Sequence, residues 1–136
     1  MDRFTPEKRR RIMASVRSHD TEPEKPVRSM LHRMGFRFRL HVSRLPGKPD
    51  IALTRHKKAV FVHGCFWHGH KNCSRAARPA TNTAFWNKKI DGNMKRDARV
   101  KGQLRTLGWK ICTVWQCQIR RRDGLQRKLK AFMSKA

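Results

Sequence analysis

The sequence predicts one α/β domain, a mixed β-sheet flanked by helices, and three observations predict it. Apolar residues recur at helical spacing in three separate segments. Short β-type runs lie between those segments, three before the second helix and one after it. The length of 136 residues provides for one domain with a real core and is too short for two of ordinary size. A three-strand meander continued through a helical crossover to a further strand gives a mixed sheet with helices packed on it.

Taken in order, residues 1–20 are basic and poor in large apolar groups, with Lys8-Arg9-Arg10-Arg11 and Arg17. They read as an arm that a nucleic-acid backbone would order, with merely solvated tail as the alternative. Residues 21–136 form the single folded domain. Thr21-Glu22-Pro23-Glu24 has the pattern of a capping box, with Pro in the first turn. Val27, Met30, Leu31 and Met34 follow at helical spacing until Gly35 stops the helix. Phe36-Arg37-Phe38-Arg39-Leu40 alternates as a half-buried strand does, and Leu45-Pro46-Gly47-Lys48-Pro49 makes a turn. Strands follow at Asp50-Ile51-Ala52-Leu53 and at Ala59-Val60-Phe61-Val62, separated by Arg55-His56-Lys57-Lys58. After a loop at 74–82, Thr83 can cap a long helix reaching about Leu107, with Trp86, Ile90, Met94, Leu104 and Leu107 on its buried stripe. Gly92 and Gly102 weaken that helix and permit a bend. Gly108 ends it. Residues 109–115 make another strand, and Leu125, Leu129, Phe132 and Met133 a final short helix.

Lys and Arg number 34 against 9 Asp and Glu, a formal net charge of +25. Such an excess points to a polyanion, because bound Lys and Arg release the counterions condensed on phosphates. Without apolar runs of spanning length, no membrane partner is expected. The N-terminal Met1-Asp2-Arg3-Phe4-Thr5-Pro6 lacks the apolar centre of a secretory signal, so a reducing cytoplasm is the expected location. In that setting Cys65, Cys73, Cys112 and Cys117 read as metal ligands before disulfides.

The richest segment is His63-Gly64-Cys65-Phe66-Trp67-His68-Gly69-His70-Lys71-Asn72-Cys73. Imidazole and thiolate together suit zinc, and imidazole alone suits proton transfer near neutral pH. Cys65, His70 and Cys73 supply three ligands, and a tetrahedral ion needs a fourth. Cys112 lies mid-strand, where a thiol packs as a small apolar group, whereas Cys117 lies at the strand end, where a loop ligand could meet it, and is the expected fourth ligand. Four protein ligands would make a closed, structural site. His63 and His68 are then left for phosphate chemistry, His68 as general base for a water and His63 binding or protonating near the scissile phosphate. Phe66-Trp67 reads as a surface for stacking on flat rings or as a cap on the core. Asp50 is the only carboxylate between Glu24 and Asp91. A hard cation such as Mg²⁺ needs oxygen ligands of this kind, and a meander carries Asp50 alongside Val62-His63.

Pro46-Gly47-Lys48-Pro49-Asp50, the run Val60 to His68, Pro79-Ala80-Thr81, Phe85-Trp86 and Leu107-Gly108-Trp109 through Val114-Trp115-Gln116-Cys117 together resemble the Vsr mismatch endonucleases, the very-short-patch repair enzymes. The likeness runs from Asp20-Thr21 to about Arg122. It implies a restriction-endonuclease-like core and Mg²⁺-dependent nicking 5′ of the thymine in T:G mismatches left by 5-methylcytosine deamination. By the same resemblance Asp50 binds Mg²⁺ with the main-chain carbonyl of Val62, His68 is the general base, and His63 sits at the phosphate. Glu24 and Asn93 match polar positions near that active site. Cys65, His70, Cys73 and Cys117 hold structural zinc, and Phe66, Trp67 and Trp86 form a wedge entered beside the mismatch. Trp86 packed into the core is the alternative.

Restriction enzymes at large carry an acid-x-Lys pair where this chain reads Phe61-Val62-His63, so no second carboxylate comes from that strand. Double-stranded DNA with a T:G mismatch is the implied substrate of a monomeric, nucleoid-associated bacterial enzyme. MutL-like and MutS-like repair proteins and a repair polymerase are candidate partners. Two other readings compete: a non-catalytic zinc-stapled nucleic-acid-binding protein, and a restriction-type nuclease on paired DNA.

Overall fold

A computed structural model describes residues 23–135. The arm expected at 1–20 and the Thr21 cap lie outside the described residues. Helix α1 (Glu24–Arg33) opens on Pro23 and buries Val27 and Leu31. It closes on Gly35, whose φ of 96° suits a residue without Cβ, with Gly35 N–H donating to His32 O and Phe36 N–H to Leu31 O. Strands β1 (Arg39–Leu40), β2 (Ile51–Leu53) and β3 (Lys58–His63) form an antiparallel meander. Helix α2 (Thr83–Thr106) then crosses over to β4 (Lys110–Trp115), which pairs parallel with β3 along its full length. The chain ends in α3 (Gln116–Ile119) and α4 (Arg122–Ser134). Strand order is β1-β2-β3-β4, a mixed sheet with helices, as expected.

Both faces of the sheet are covered, which is why β2 and most of β3 are buried without alternation. Ile51, Leu53, Val60, Cys112 and Val114 meet α1 and α4 through Val27, Leu31, Leu125, Leu129 and Phe132. The opposite face is smaller: Ala52, Ala59 and Phe61 pack on Leu104 of α2 and on Trp109. Small residues on that face let α2 approach closely. Gly47 shows how closely, since any Cβ there would strike the Val100 side chain.

Five local expectations are corrected. The strand expected over 36–40 shrinks to two residues, because Phe38 lies opposite Leu53, where the chain already bends into the 3₁₀ turn Thr54–His56. Thr83 is the first helical residue, not the cap; Asn82 precedes it with φ 52°. The long helix runs without interruption through Gly92 and Gly102, and its stripe ends at Leu104, leaving Leu107 52% exposed. Cys117 sits within α3 instead of at a strand end. Lys58, assigned to a turn, begins β3 and is only 3% exposed.

Lys58 explains how α4 is anchored. Its Nζ donates to the carbonyls of Phe132, Met133 and Lys135 at 2.9, 3.0 and 2.6 Å. Those carbonyls close the C-terminus of α4, where the helix dipole is negative and intrahelical donors run out. Burial lowers the Lys58 pKa, with Lys110 and Lys135 adding repulsion, so the three carbonyls must offset the desolvation of the ammonium. Lys58→Met should destabilise the fold by about 1–3 kcal/mol, seen as a lower urea midpoint. An unchanged midpoint would show that water caps α4 equally well.

Candidate active site and metal cluster

The site begins where β2 stops short of β3. Ile51 pairs with Val60, so β3 continues past the start of β2 and Val62 has no strand partner on that side. The Asp50 carboxylate fills the place: Val62 N–H donates to Asp50 Oδ2 at 2.7 Å. Amide and carbonyl of one strand residue point the same way, so the Val62 carbonyl also faces the Asp50 side. Glu24, from the first turn of α1, is 4% exposed, and its Oε2 accepts no hydrogen bond among the described residues. His41, from the turn after β1, brings Nε2 to 3.2 Å from Glu24 Oε2 and Nδ1 to 4.0 Å from Asp50 Oδ1. Burial raises the Asp50 pKa to about 7; the Val62 bond opposes this and the nearby Glu24 charge adds to it. A cation would relieve the buried Glu24 and partly buried Asp50 carboxylates, and oxygen donors of this kind suit Mg²⁺.

Beyond β3 the loop folds back over α2. Gly69 has φ 60°, and a Cβ there would come within 2.5 Å of Met94 Sδ and 3.1 Å of Ile90 Cγ2, so only glycine permits this approach. The approach carries His68 to α2, where its Nδ1 lies 2.7 Å from Asp97 Oδ2. Burial opposes ionisation of Asp97, but the His68 hydrogen bond and the His68 and His63 imidazoles bring its pKa below the ordinary value. An ionised carboxylate only accepts, so Nδ1 carries the proton of this bond and Nε2 is the ring nitrogen left facing away from Asp97. Asp97 escaped the sequence reading. The available signal was its position four residues after Asn93 on a chain with few acids. Asn93 itself donates Nδ2 to the Trp67 carbonyl at 2.9 Å, a loop-holding bond instead of a contact with the carboxylates.

His63 ends β3 and stacks on His68, ring centroids 3.8 Å apart and planes 5° from parallel. It is 6% exposed, and its Nδ1 has no hydrogen-bond partner among the described residues. Burial, reinforced by repulsion from His68, lowers its pKa to about 3. A neutral imidazole can hold a phosphate oxygen by hydrogen bonding but is a poor proton donor at neutral pH. That narrows the expected choice between binding and protonation.

The four expected zinc ligands converge. One ligand atom each from Cys65, His70, Cys73 and Cys117 lies within 4.8 Å of every other, and Cys117 Sγ is 3.5 Å from His70 Nδ1. A sulfur and a nitrogen on one tetrahedral zinc stand about 3.5 Å apart, from bond lengths of ~2.3 and ~2.0 Å. Cys112 instead faces the α1–α4 core. Three thiols and one imidazole therefore fit a closed, four-ligand soft-metal site. Gln118 Oε1 fixes its far side, accepting from Trp115 N–H at 3.0 Å and from Lys128 Nζ at 3.0 Å.

Trp86 stays out of both core clusters and joins the loop aromatics. Its ring lies 5.3 Å from Phe66 and 5.9 Å from Trp67, and Phe66 and Trp67 meet edge to face at 5.3 Å. Phe85, 59% exposed, adds a fourth ring 5.1 Å from Trp86. A partly exposed aromatic group beside polar loops has a cost in water that a flat partner would remove.

Opposite pH signs follow from the two shifted groups. With divalent cations chelated, a protonated Asp50 stabilises the fold fully below its ordinary pKa of 3.8, and that contribution fades as pH rises through about 7. His63 does the reverse: stability present above 6.5 is lost as pH falls toward 3. In EDTA, the stability of wild type relative to Asp50→Asn should therefore drop by on the order of 2–4 kcal/mol between pH 4 and 8. Urea unfolding of both proteins across that range checks it. Parallel profiles would place Asp50 in a more solvated setting than described.

Residues 1–75 match the family described as DNA mismatch endonuclease Vsr. The chain is 46% identical over 132 residues to the type II nicking enzyme V.XorIIP of Xanthomonas oryzae pv. oryzae, covering 97% of this chain and 96% of that one. It is 42% identical over 128 residues to the type II nicking enzyme V.NmeAIP of Neisseria meningitidis, covering 94% and 91%. To the DNA mismatch endonuclease Vsr of Escherichia coli K12 it is 40% identical over 117 residues, covering 86% and 74%. Among the described residues no helix is long and apolar enough to cross a membrane. With a family match over more than half its length and such relatives along nearly all of it, the chain belongs to the Vsr family of DNA endonucleases.

Proposed function

We propose that this endonuclease nicks duplex DNA on the 5′ side of the thymine in T:G mismatches left by 5-methylcytosine deamination, using Mg²⁺, and so begins very short patch repair. The observation that carries the reading is one continuous segment. From Val62 to His70 it joins the Asp50 carboxylate held at the Val62 amide, two stacked imidazoles and partly exposed aromatics. The relatives' names, nicking enzyme and mismatch endonuclease, support single-strand cleavage and a mispaired substrate. A mismatch is already cheap to deform, so rings able to enter a stack gain selectivity from deformability. Phe66, Trp67 and Trp86 are the proposed wedge.

In this mechanism His68 takes a proton from the attacking water through Nε2. Asp97 holds Nδ1–H, fixes the tautomer and stabilises the imidazolium that forms. His63, neutral and buried, holds a phosphate oxygen. Asp50 and the Val62 carbonyl, with Glu24 close by, would hold the Mg²⁺, which when bound neutralises charge at the scissile phosphate. Asn93 keeps the Trp67 carbonyl in place and so sets the wedge relative to His68. Cys65, His70, Cys73 and Cys117 would hold zinc as a brace for this loop. The basic arm at 1–20 is proposed to embrace the duplex, with the enzyme a cytoplasmic monomer acting beside MutL-like and MutS-like proteins and a repair polymerase.

A nicking assay on a T:G duplex and its fully paired counterpart, with Mg²⁺ or EDTA, tests the reading. Asp50→Ala should abolish nicking. Asp97→Asn should lower kcat about 10- to 100-fold with little change in KM, because it disturbs only the orientation and tautomer of the base. Equal nicking by Asp50→Ala, or equal cleavage of paired DNA, would refute it.

Metal analysis separates the brace from the core thiol. Purified wild type and Cys112→Ser should carry about one zinc per chain, and Cys117→Ser should carry much less, with a lower thermal midpoint. Zinc lost only from Cys112→Ser would reverse the assignment.

A further inference from the structure

Glu24, His41 and Asp50 form a second cluster with the spacing of a metal site, and His41 has no part in the mechanism above. The three side chains come from different elements: the first turn of α1, the turn after β1 and the entrance to β2. His41 is tied to that entrance by its own backbone, with its N–H donating to the Asp50 carbonyl at 3.2 Å and its φ at 49°. The pairing sends the imidazole back over the carboxylates. Glu24 Oε2 is buried and accepts no hydrogen bond among the described residues, although His41 Nε2 stands only 3.2 Å away. The two atoms are close but are not aligned as donor and acceptor. Ligands at neighbouring corners of an octahedron with bonds of ~2.1 Å stand about 3.0 Å apart, close to this separation. An ion beside the Glu24 oxygen would satisfy it; a simple ion pair leaves that oxygen badly served.

We propose that His41 is a nitrogen ligand, with Glu24 and Asp50, of the divalent cation at the sheet edge. This rests on the reading of Asp50 as a cation ligand and extends it to the choice of ion. An all-oxygen site favours Mg²⁺, whereas one imidazole in the set shifts preference toward Mn²⁺ and the later transition ions. The site is thus built to accept Mn²⁺ at least as readily as Mg²⁺.

Mn²⁺ serves as its own probe. Electron spin-echo measurements on the full-length protein loaded with about one equivalent of Mn²⁺ should show the ¹⁴N coupling of a directly bound imidazole. His41→Ala should lose that coupling and bind Mn²⁺ about 10-fold more weakly, and the excess of Mn²⁺ over Mg²⁺ affinity should shrink with it. His41→Gln, which keeps a polar group of similar reach, guards against misfolding and should also lose the nitrogen signal. A coupling that survives in both variants, or Mn²⁺ bound by wild type without it, overturns the proposal. If wild type binds no Mn²⁺ but still nicks in an Asp50- and cation-dependent way, the His41 inference fails and the nicking mechanism stands. Loss of cation-dependent nicking altogether would instead sink the parent reading.

Discussion

The parallel pairing of β3 with β4 is the constraint from which the rest of the molecule follows. Six consecutive residues of each strand are in register, from Lys58 opposite Lys110 to His63 opposite Trp115. A parallel ladder needs a crossover connection and cover on both faces. The crossover is the loop after His63 together with α2, and the cover is α2 on one side with α1 and α4 on the other. Because β2 is only three residues long, β3 extends beyond it, and the amide of Val62 must find a partner outside the sheet. Asp50 provides it. The same overhang that would leave a buried amide unsatisfied thus draws a carboxylate to the end of the sheet.

Electrostatics then sets the character of that end. On a chain of net charge +25, the acids that are buried are few. Asp50 is placed where burial and the neighbouring Glu24 raise the cost of ionising it, while Asp97 is placed where two imidazoles lower it. In the proposed mechanism the carboxylates divide into two tasks: one pair would hold a cation, and one ionised group would orient a base. The surrounding cations suit a polyanionic substrate at long range, yet they do not enter the pair itself.

Much of this was legible in the sequence because it depended on local pattern. Periodicity placed α1, α2 and α4, alternation and turns placed the meander, and residue chemistry singled out Asp50, His63, His68 and the four soft ligands. What escaped depended on distant partners. Asp97 and His41 carry no motif of their own, since one is an acid among arginines on a long helix and the other a turn residue. They become meaningful only when Gly69 lets the loop settle on α2 and when the start of β2 draws the turn after β1 toward Glu24. Lys58 was misread for the same reason. A lysine beside Lys57 in a turn gives no sign that helix carbonyls 74 to 77 residues away will close over it. Cys117 was found by its chemistry although the α3 turn that carries it was not.

One stack of rings ties the proposed zinc site to the two imidazoles His63 and His68. His68 lies on His63 at 3.8 Å, His63 meets the edge of Trp115 at 5.4 Å, and Trp115 lies flat on His70 at 4.1 Å. Trp115 ends the parallel strand, and its own N–H is held by Gln118 of α3, one residue beyond Cys117. The soft-ligand cluster and the His63–His68 pair therefore share one wall of packed rings. Close-packed interiors transmit displacement instead of absorbing it. A zinc brace at Cys65, His70, Cys73 and Cys117, as proposed, would set the plane of His70, and through Trp115 and His63 the plane of the proposed base His68. On that reading a structural ion has a reason to sit so near the proposed chemistry: it would fix the angle of the base as well as the shape of the loop.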